Sequence, residues 1–419
     1  MVAVLYSSAL AHLCSPLATK HIQSHSSEVT LAENGKGLFP YYRIVGLASP
    51  GNGVILASFD GRPSANDAPG PNSILQRRST DNGKTWGETT YIAKGQEGNE
   101  DGTIQQYGFS DPSYVVDNIT GTIFNFHVFS KNQGFAGSRI GNDDTDLNVM
   151  SAEVSISTDM GISWSTDPTN QPHLPPIASD KIGAPPLITS GVKPLGKTVN
   201  GVQNVGGVLG TFASSGEGIQ LRYGPHAGRL IQQFAGRVIQ PDGSIAIQAY
   251  SVYSDDGGKT WQMGQPVGKG MDENKVVELS NGDVMLNSRP SDGSHFRKIC
   301  LSTDGGETYS TPMNDEQLPD PANNGAISRM YPNAAEGSDM AKILLFTNTN
   351  NITERANGTI RYSCDDGKAW SSGKVFHTGP MGYSTVTALD DGTFGILYES
   401  SGKEIVFAKV DKEYIGVTC

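Results

Sequence analysis

The sequence predicts an all-β fold, and more narrowly a six-bladed β-propeller, on three observations. An eight-residue pattern, S-x-D-x-G-x-x-aromatic, occurs five times, beginning at Ser79, Ser157, Ser254, Ser302 and Ser363. A β-rich run precedes each copy, and the irregular spacing suits four-stranded blades with loops of different lengths better than a tight solenoid. No long stretch sustains the 3.6-residue apolar period of a helix. Dividing roughly 380 residues by about 65 residues per blade gives six blades.

The repeated pattern is interpreted as a turn that stabilises a β-hairpin rather than as a catalytic motif. Its Asp can accept hydrogen bonds from backbone N–H groups of its own turn, and its Gly can supply a left-handed residue. All four tryptophans of the chain, Trp86, Trp164, Trp261 and Trp370, occupy the last position, and Tyr309 occupies it in the remaining copy. Large, scarce side chains at one repeated position indicate packing. Each repeat is therefore expected to build one supersecondary unit.

The net charge of the chain restricts the partners that it can bind. The 31 lysines and arginines against 43 aspartates and glutamates give a net charge of −12. This balance does not favour nucleic acid or an anionic membrane as a partner. An anionic substrate would need a local cluster of cationic side chains. No run of about 18 apolar residues occurs, so no membrane span is predicted.

Three segments are predicted along the chain. Residues 1–20 are a candidate signal peptide, because they are apolar and rich in small residues, although they lack the Lys or Arg expected near the start. The alternative is a disordered or atypical tail. Residues 21–36 are predicted to be a polar lead-in, and residues 37–419 a single propeller domain. Because residues 1–20 are a candidate signal peptide, we expect the protein to be secreted.

The cysteines do not predict a disulfide scaffold. There are four, Cys14, Cys300, Cys364 and Cys419, and an odd number remains if Cys14 is removed with a leader. Cys300 and Cys364 could pair, but their spacing does not decide the question. The chain contains neither CxxC nor HExxH, so no metal site and no other cofactor is predicted.

Two charged residues near the start stand out as candidate functional groups. Arg43 interrupts the apolar run YRIVGL, where a guanidinium must pair with an anion to offset its desolvation. Asp67 lies in a segment rich in Gly, Pro and Asn, which is typical of a ligand-facing loop. The alternative interpretation is structural, with Arg43 in an ion pair and Asp67 capping a turn.

Four further candidates lie in the second half of the chain. Glu273 and Arg289 stand at the outer ends of a predicted hairpin, where they could face one site or form a cross-strand salt bridge. Arg355 lies in a turn before the fifth repeat and could instead be a solvated loop charge. Tyr383 follows Gly-Pro-Met-Gly at the start of a strand, where a tyrosine more commonly serves packing.

Taken together, these motifs resemble the sialidases (neuraminidases) of glycoside hydrolase family 33, in particular their compact secreted bacterial or fungal members. The family pattern YRIP is matched by YRIV at 42–45, with Val45 at the position of Pro. The five repeats match the family's Asp boxes, and FDGRP and LNSR match further family segments. The resemblance spans residues 41–414. It implies a six-bladed propeller with Asp-box hairpins and an exo-sialidase activity without any cofactor.

The resemblance also implies roles for the candidate residues. Three arginines would hold the substrate carboxylate, because planar guanidinium groups bind a carboxylate bidentately: Arg43, Arg289 and Arg355. Tyr383 would be the nucleophile, with Glu273 as its base, since a phenol needs a neighbouring base to attack. Asp67 would be the acid/base residue. Sialylated glycans, glycoproteins or glycolipids would be the partners, and hydrolysis would retain configuration.

Five further positions match residues of the family's sugar pocket. Arg62 would lie near the sugar 4-hydroxyl, and Asp111 would meet the 5-substituent. Val128, Phe135 and Ala136 would form a small apolar pocket for an N-acetyl methyl group. This favours N-acetylneuraminic acid, although some related enzymes prefer Kdn, which has a hydroxyl there.

Alternative functions remain at the level of sequence. One is a Kdn-preferring sialidase, and another is a trans-sialidase or an enzyme that releases an anhydro product. A third is a sialic-acid-binding propeller without activity, which would be expected to have lost Tyr383, Glu273 or an arginine. Linkage preference and oligomeric state are not predicted.

Overall fold

A computed structural model describes residues 26–165 and 187–419, which are almost entirely β. No helix in these ranges is long and apolar enough to cross a membrane. The helical segments are α1 (Thr189–Val192), α2 (Lys412–Ile415) and the 3-10 turns Gly224–His226 and Met340–Lys342. The strands are β1 (Ser26–Glu33), β2 (Tyr41–Gly51), β3 (Val54–Arg62), β4 (Ser73–Ser79), β5 (Thr90–Ala93), β6 (Gly108–Val116), β7 (Ile123–Ser130), β8 (Ser151–Ser157), β9 (Lys197–Val199), β10 (Val202–Val205), β11 (Val208–Ala213), β12 (Gly216–Glu217), β13 (Ile219–Gln220), β14 (Leu230–Ile239), β15 (Ile245–Ser254), β16 (Gln262–Met263), β17 (Met271–Glu278), β18 (Val284–Pro290), β19 (Phe296–Ser302), β20 (Met313–Pro319), β21 (Ala326–Arg329), β22 (Leu344–Thr349), β23 (Ala356–Ser363), β24 (Lys374–Ala388), β25 (Phe394–Ser400) and β26 (Glu404–Val410).

The strands form a series of mainly antiparallel sheets. Three of them have the orders β2-β3-β4-β5, β12-β6-β7-β8 and β17-β18-β19-β20, and β12 runs parallel to β6. A fourth has the order β11-β14-β15-β16 with β13 also on β14, while β9 and β10 pair separately. The largest has the order β1-β26-β25-β24-β23-β22-β21. The long strand β24 pairs first with β23 and then with β25, so it joins two four-stranded halves.

The sheets are arranged as a β-propeller. Strand β2 contacts β6, which contacts β11 and β14, and the contacts continue from β14 to β17, β21 and β24. Strand β24 contacts β2 again, which closes the ring. Apolar side chains fill the space between neighbouring sheets; Val45, Phe59, Leu397 and Phe407, for example, are fully buried between the first sheet and the last. Each such side chain stabilises the fold by about 1.5–3 kcal/mol.

The start of the domain differs from the prediction. Residues 1–20, the candidate signal peptide with Cys14, lie outside the described residues, as do residues 21–25. The rest of the predicted lead-in is not a lead-in, because β1 pairs with β26 from Ser26↔Val410 to Glu33↔Glu404. The last sheet takes its outer strand from the beginning of the chain. A strand at a sheet edge buries only part of its surface, which explains its polar sequence.

All five copies of the repeated pattern have the same hydrogen bonds. In each, the Ser hydroxyl donates to the Asp carboxylate at 2.7–2.8 Å and accepts from the Gly N–H at 2.8–2.9 Å. The Asp then accepts a backbone N–H four residues further on at 2.9 Å. The closing aromatic residue packs inward, as in the contact of Trp261 with Phe126, whose ring centroids lie 4.7 Å apart. The Ser and Asp side chains of each repeat are therefore engaged in hydrogen bonds within their own turn.

The cysteine pairing differs from the one considered for the sequence. Cys364 is bonded to Cys419, with 5.7 Å between their Cα atoms, and Cys300 is a buried free thiol. Cys300 lies inside β19 in the sheet core, whereas Cys364 directly follows β23 at the surface, where the C-terminal residue can reach it. The disulfide thus fastens the end of the chain to the fifth repeat.

Candidate active site

The six residues singled out for catalysis and carboxylate binding meet around Tyr383, on strand β24. Nη1 of Arg289 lies 2.5 Å from Oε2 of Glu273 and 3.2 Å from the Tyr383 hydroxyl. The guanidinium carbons of Arg43 and Arg355 lie 5.5 and 5.6 Å from the centre of the Tyr383 ring. Asp67 joins the group through Arg43, with 3.7 Å between Oδ1 and Nη1. The structure thus brings together residues from four parts of the chain.

β-Bulges in the strands direct the side chains of the site out of the regular alternation. The pairing register shifts next to Arg43 and across Asp111, Glu273 and Tyr383. A bulge of this kind bends a strand and redirects a side chain out of the regular alternation. At two bulges a residue adopts the left-handed conformation, with φ of 60° at Ile44 and 64° at Asp111. For the β-branched Ile44 this conformation is strained, so something must hold it in place.

Two buried carboxylates hold these strained residues. Glu399 on β25 accepts the N–H of Ile44 at 2.6 Å and that of Tyr383 at 3.3 Å. It also lies 3.6 Å from the Arg43 guanidinium. On β3, Asp60 accepts the N–H of Asp111 at 3.2 Å. Both side chains therefore fix the backbone of the site as well as its charges.

The tyrosine is a protonated phenol in this environment. Burial raises the pKa of Tyr383 well above its usual value, and the negative charge of Glu273 raises it further, while Arg289 opposes both. Glu273 is itself 2% exposed and paired with Arg289. A phenol of this kind attacks an electrophile only if a neighbouring base takes its proton, and Glu273 is the carboxylate whose charge acts on the pKa of Tyr383.

The three arginines form a cationic group in a negatively charged protein. Arg43 is paired with Glu399, whose charge raises the pKa of Arg43 against the lowering effect of burial. Arg289 has Asp272 at 3.9 Å from its Nε atom, in addition to Glu273. Arg355 is exposed and donates to the carbonyl of Ala322 at 2.8 Å. Arg43 and Arg289 are partly accessible, at 29% and 19% of their side chains, so a ligand can reach them.

The acid/base candidate and its neighbour form a second ion-pair group. The guanidinium of Arg62 is almost fully buried and donates to Asp60 at 2.8 and 3.0 Å and to Asp67 at 2.6 Å. Burial raises the pKa of Asp60 to about 6, although Arg62 opposes the shift. For Asp67 burial also acts upward, but the hydrogen bond and charge of Arg62 outweigh it and lower the pKa. Without a ligand, Asp67 is therefore ionised at neutral pH.

The residues expected around the sugar 5-substituent lie on the second sheet and on the segment after β7. Burial, and then the charge of Asp60, raise the pKa of Asp111 well above its usual value. Val128 is buried in β7 opposite Ser110. Phe135 is half-buried against Phe212, and Ala136 is exposed.

Sequence reasoning missed three carboxylates of this site: Asp60, Asp272 and Glu399. Glu399 directly follows the apolar run GILY within a strand, and a charge in such a position is the same signal that identified Arg43. Asp60 stands in the segment FDGRP beside Arg62, which was identified. Burial, and then the charge of Glu273, raise the pKa of Asp272 to about 6. In the described ranges no group of three or more His, Cys, Asp or Glu side chains is arranged to hold a metal ion.

Comparison with known proteins gives a consistent family. A model described as a BNR repeat-like domain matches residues 218–396. The chain is 52% identical to a sialidase of Micromonospora viridifaciens over 94% of its own length and 55% of that protein. It is 28% identical to a sialidase of Bacteroides fragilis over 88% of its own length and 62% of that protein. The chain therefore spans little more than half the length of these relatives.

Solved structures show the same fold. The Hadza microbial sialidase Hz136 is 27% identical and matches with a TM-score of 0.73 over 90% of this chain and 67% of that one. The intramolecular trans-sialidase of Ruminococcus gnavus, at 18% identity, matches with a TM-score of 0.69 over 91% of this chain and 96% of that one. The sequence and structure matches therefore agree on a β-propeller of the sialidase type. In particular, the chain is similar in sequence and in fold to the sialidases, of the type of glycoside hydrolase family 33.

Proposed function

We propose that the protein is an exo-sialidase that hydrolyses terminal α-linked sialic acids from glycans, glycoproteins or glycolipids, with retention of configuration. The observation that carries the proposal is the position of the Tyr383 hydroxyl, 3.2 Å from Arg289, which is paired with Glu273. Two more arginines lie over the Tyr383 ring. A nucleophile, a base and a carboxylate-binding group thus share one small volume.

The arginines suit a substrate with a carboxylate on its reacting carbon. In sialic acids the carboxylate is attached to the anomeric carbon, so groups that bind it also place that carbon beside Tyr383. Guanidinium groups bind carboxylates in a bidentate geometry. They also give the site a local positive charge despite the net charge of −12. A neutral phenol avoids the repulsion that a carboxylate nucleophile would meet from the substrate.

The first chemical step forms a glycosyl–tyrosine bond. The Tyr383 oxygen attacks the anomeric carbon while its proton passes to Glu273. The bond from the anomeric carbon to the glycosidic oxygen breaks, and that oxygen takes a proton from Asp67. In the second step Asp67 takes a proton from water, the water oxygen displaces the tyrosine oxygen, and Glu273 returns the proton to Tyr383. Two inversions at one carbon give net retention.

The substrate itself helps to protonate Asp67. The charges of Arg43 and Arg355 contribute to the lowered pKa of Asp67, after the larger effect of Arg62. A bound carboxylate neutralises part of that positive charge and also excludes water, and both effects raise the pKa of Asp67. The aspartate thus becomes a better acid catalyst when substrate is present.

The apolar groups near the acid/base loop favour N-acetylneuraminic acid over Kdn. Phe135 and Ala136 offer an N-acetyl methyl group an apolar neighbour, whereas the hydroxyl of Kdn would have to give up water there. We also propose that the propeller has six blades, with the two halves of the sheet joined by β24 counted separately. The five repeats are then the Asp-box hairpins of five of these blades.

One experiment separates this function from its alternatives. Purified protein is incubated with the 4-methylumbelliferyl glycosides of N-acetylneuraminic acid and of Kdn, and products are followed by NMR. Release of the α-anomer of free sialic acid before its mutarotation supports a retaining hydrolase. A 2,7-anhydro product or transfer to an acceptor sugar would indicate the transferase alternatives. No turnover by folded protein that still binds sialic acid would indicate a binding propeller.

A further inference from the structure

The loop that carries Asp67 joins β3 to β4 over residues 63–72. The side chain of Asp67 is 77% exposed, and in the described part of the chain its ion pairs are with Arg62 and Arg43. An exposed side chain on a loop has no packing of its own to fix it. Its position therefore depends on what holds the loop backbone.

Three glycines from outside the loop lie directly against that backbone. A Cβ atom added at Gly134 would overlap the carbonyl of Ala68, the residue after Asp67. A Cβ at Gly108 would overlap the carbonyl of Gly70, and one at Gly95 the carbonyl of Asn72. The neighbours are backbone atoms, which cannot rotate away as a flexible side chain can. We call Gly95, Gly108 and Gly134 the glycine seat.

Space, rather than backbone conformation, makes these positions glycine. None of the three has the left-handed φ that would itself favour glycine. Each is instead a place where two backbones approach more closely than a methyl group allows. The approach also reaches the sugar pocket, since Gly134 directly precedes Phe135 and Ala136.

The segment that carries Gly134 is held firmly. The Gly134 carbonyl accepts the N–H of Ser138 at 3.0 Å, and the Ser138 hydroxyl donates to the carbonyl of Leu209 at 3.0 Å. The Arg237 guanidinium donates to the carbonyls of Phe135 and Ala136. A rigid segment pressed against a loop transmits any added volume to the loop.

The end of the loop is held against the same sheet. The carbonyl of Asn72 accepts the N–H of Phe109 at 2.9 Å, and its side-chain amide donates to the hydroxyl of Ser110 at 3.2 Å. Asn72 is thus fixed at one end of the loop, while Ala68, the residue after Asp67, lies against Gly134. The glycine seat and the ion pair of Asp67 with Arg62 therefore both hold the loop of residues 63–72.

We propose that Gly134, with the rest of the glycine seat, is a positioning residue for the acid/base aspartate, an inference that rests on the proposed function. The methyl of Gly134→Ala would displace Ala68 and move Asp67 away from the glycosidic oxygen. General acid catalysis matters most for a poor leaving group such as a sugar hydroxyl. It matters much less for an aryl alcohol, which leaves readily without a proton.

The test compares two substrates in the Gly134→Ala variant. We expect kcat/KM for a sialyl-lactose to fall by roughly 10²-fold, because acid catalysis contributes about 10²–10⁴-fold. For the 4-methylumbelliferyl glycoside we expect a fall of less than about tenfold. Asp67→Asn should give the same preference for the aryl substrate. Equal losses on both substrates, or no loss on either, in a folded Gly134→Ala protein would overturn the inference.

Gly70→Ala is the matched control. It adds the same methyl group to the loop itself, but the nearest atom, the amide oxygen of Asn72, lies 3.6 Å away. Its ratio of the two kcat/KM values should equal that of wild type. If Gly134→Ala does not fold, Gly95→Ala replaces it, because it makes the same kind of overlap at the other end of the loop.

A measurement without substrate keeps the inference separate from the proposed function. Hydrogen exchange of the peptide covering residues 63–72 should be faster in Gly134→Ala than in wild type and unchanged in Gly70→Ala. If wild type turns over neither substrate, the proposed function fails while this comparison still decides whether the seat holds the loop. Unchanged exchange in Gly134→Ala would overturn the seat itself.

Discussion

The hydroxyl of Tyr383 lies 3.2 Å from Nη1 of Arg289, and the same nitrogen is paired with Glu273. One guanidinium thus faces both the proposed nucleophile and its proposed base. It favours the ionised form of the phenol, because its positive charge lowers the pKa of Tyr383 against the opposing effects of burial and Glu273. We therefore expect Arg289 to act in the proposed chemistry in addition to its proposed binding of a carboxylate.

Replacing the nucleophile should abolish retaining hydrolysis. In Tyr383→Phe we expect kcat/KM for the aryl glycoside to fall by about 10³-fold or more, because no other group lies in the position of the phenol oxygen. Tyr362→Phe, which removes a hydroxyl paired with Thr418, is the control and should keep wild-type activity. Near-normal turnover with retention in Tyr383→Phe would exclude the proposed nucleophile.

Removing the charge of Glu399 should weaken substrate binding. Gln at this position still offers an oxygen to the N–H of Ile44, but it leaves the guanidinium of Arg43 without its buried partner. Two opposite charges about 4 Å apart attract by about 1 kcal/mol in water and about 4 kcal/mol near a protein surface, so we expect kcat/KM to fall by roughly 10- to 100-fold. Steady-state kinetics with thermal unfolding would check this, and Glu404→Gln, at the start of β26, is the control. An unchanged KM in Glu399→Gln would contradict the role of this pair.

A buried lysine should make stability depend on pH. Burial lowers the pKa of Lys275 to about 7, against an ordinary value of 10.5, and its amine donates to Asn324. A lowered folded-state pKa means that stability is fully present above the unfolded pKa and is lost as pH falls towards the folded one. Between pH 10.5 and about 7 the unfolding free energy should fall by on the order of 1.4 kcal/mol per pH unit from this group.

Lys275→Met removes this contribution. The free energy of unfolding of the variant minus that of wild type should be largest at or below pH 7 and should shrink as pH rises. Denaturant titrations at pH 6, 8 and 9.5 would measure the difference, in which the other titrating groups cancel. A difference that does not change with pH would show that Lys275 has the same protonation in both states.

The disulfide should stabilise the C-terminal end of the domain. A bond between Cys364 and Cys419 closes a loop of 55 residues, for which the loss of chain entropy predicts about 4 kcal/mol. Cys419→Ser should therefore lower the unfolding temperature, and a reductant should lower that of wild type but not of the variant. Cys300→Ser tests whether the effect is specific to this pair. An unfolding temperature that is the same with and without reductant would contradict the prediction.

The repeats and the isolated charges could be predicted because their signals are local. The turn of each repeat is written in eight adjacent residues, and Arg43 is conspicuous within its own strand. The partners of these charges could not be predicted in the same way. Glu399 meets Ile44 across more than 350 positions of sequence, and only the closing of the ring brings them together.

The register of the strands could not be predicted from the sequence either. A bulge that redirects Tyr383 or Glu273 follows from the fit of neighbouring strands, and no residue pattern marks it. The polar residues 26–33 form the outer strand of the last sheet, but their sequence predicts a lead-in because an edge strand lacks a strong apolar alternation. Tertiary pairing decided these positions, whereas turn chemistry decided the repeats.

The pairing of β1 with β26 has a consequence for how the molecule matures. The earliest described strand finds its partner only after β26 has been made, since Val410 pairs with Ser26. During synthesis the middle sheets can fold on leaving the ribosome, while residues 26–33 must wait unpaired. The ring, and with it the contact of Arg43 with Glu399, therefore forms last. The protein cannot bring Arg43 beside Tyr383 and Glu399 before these late strands have been made.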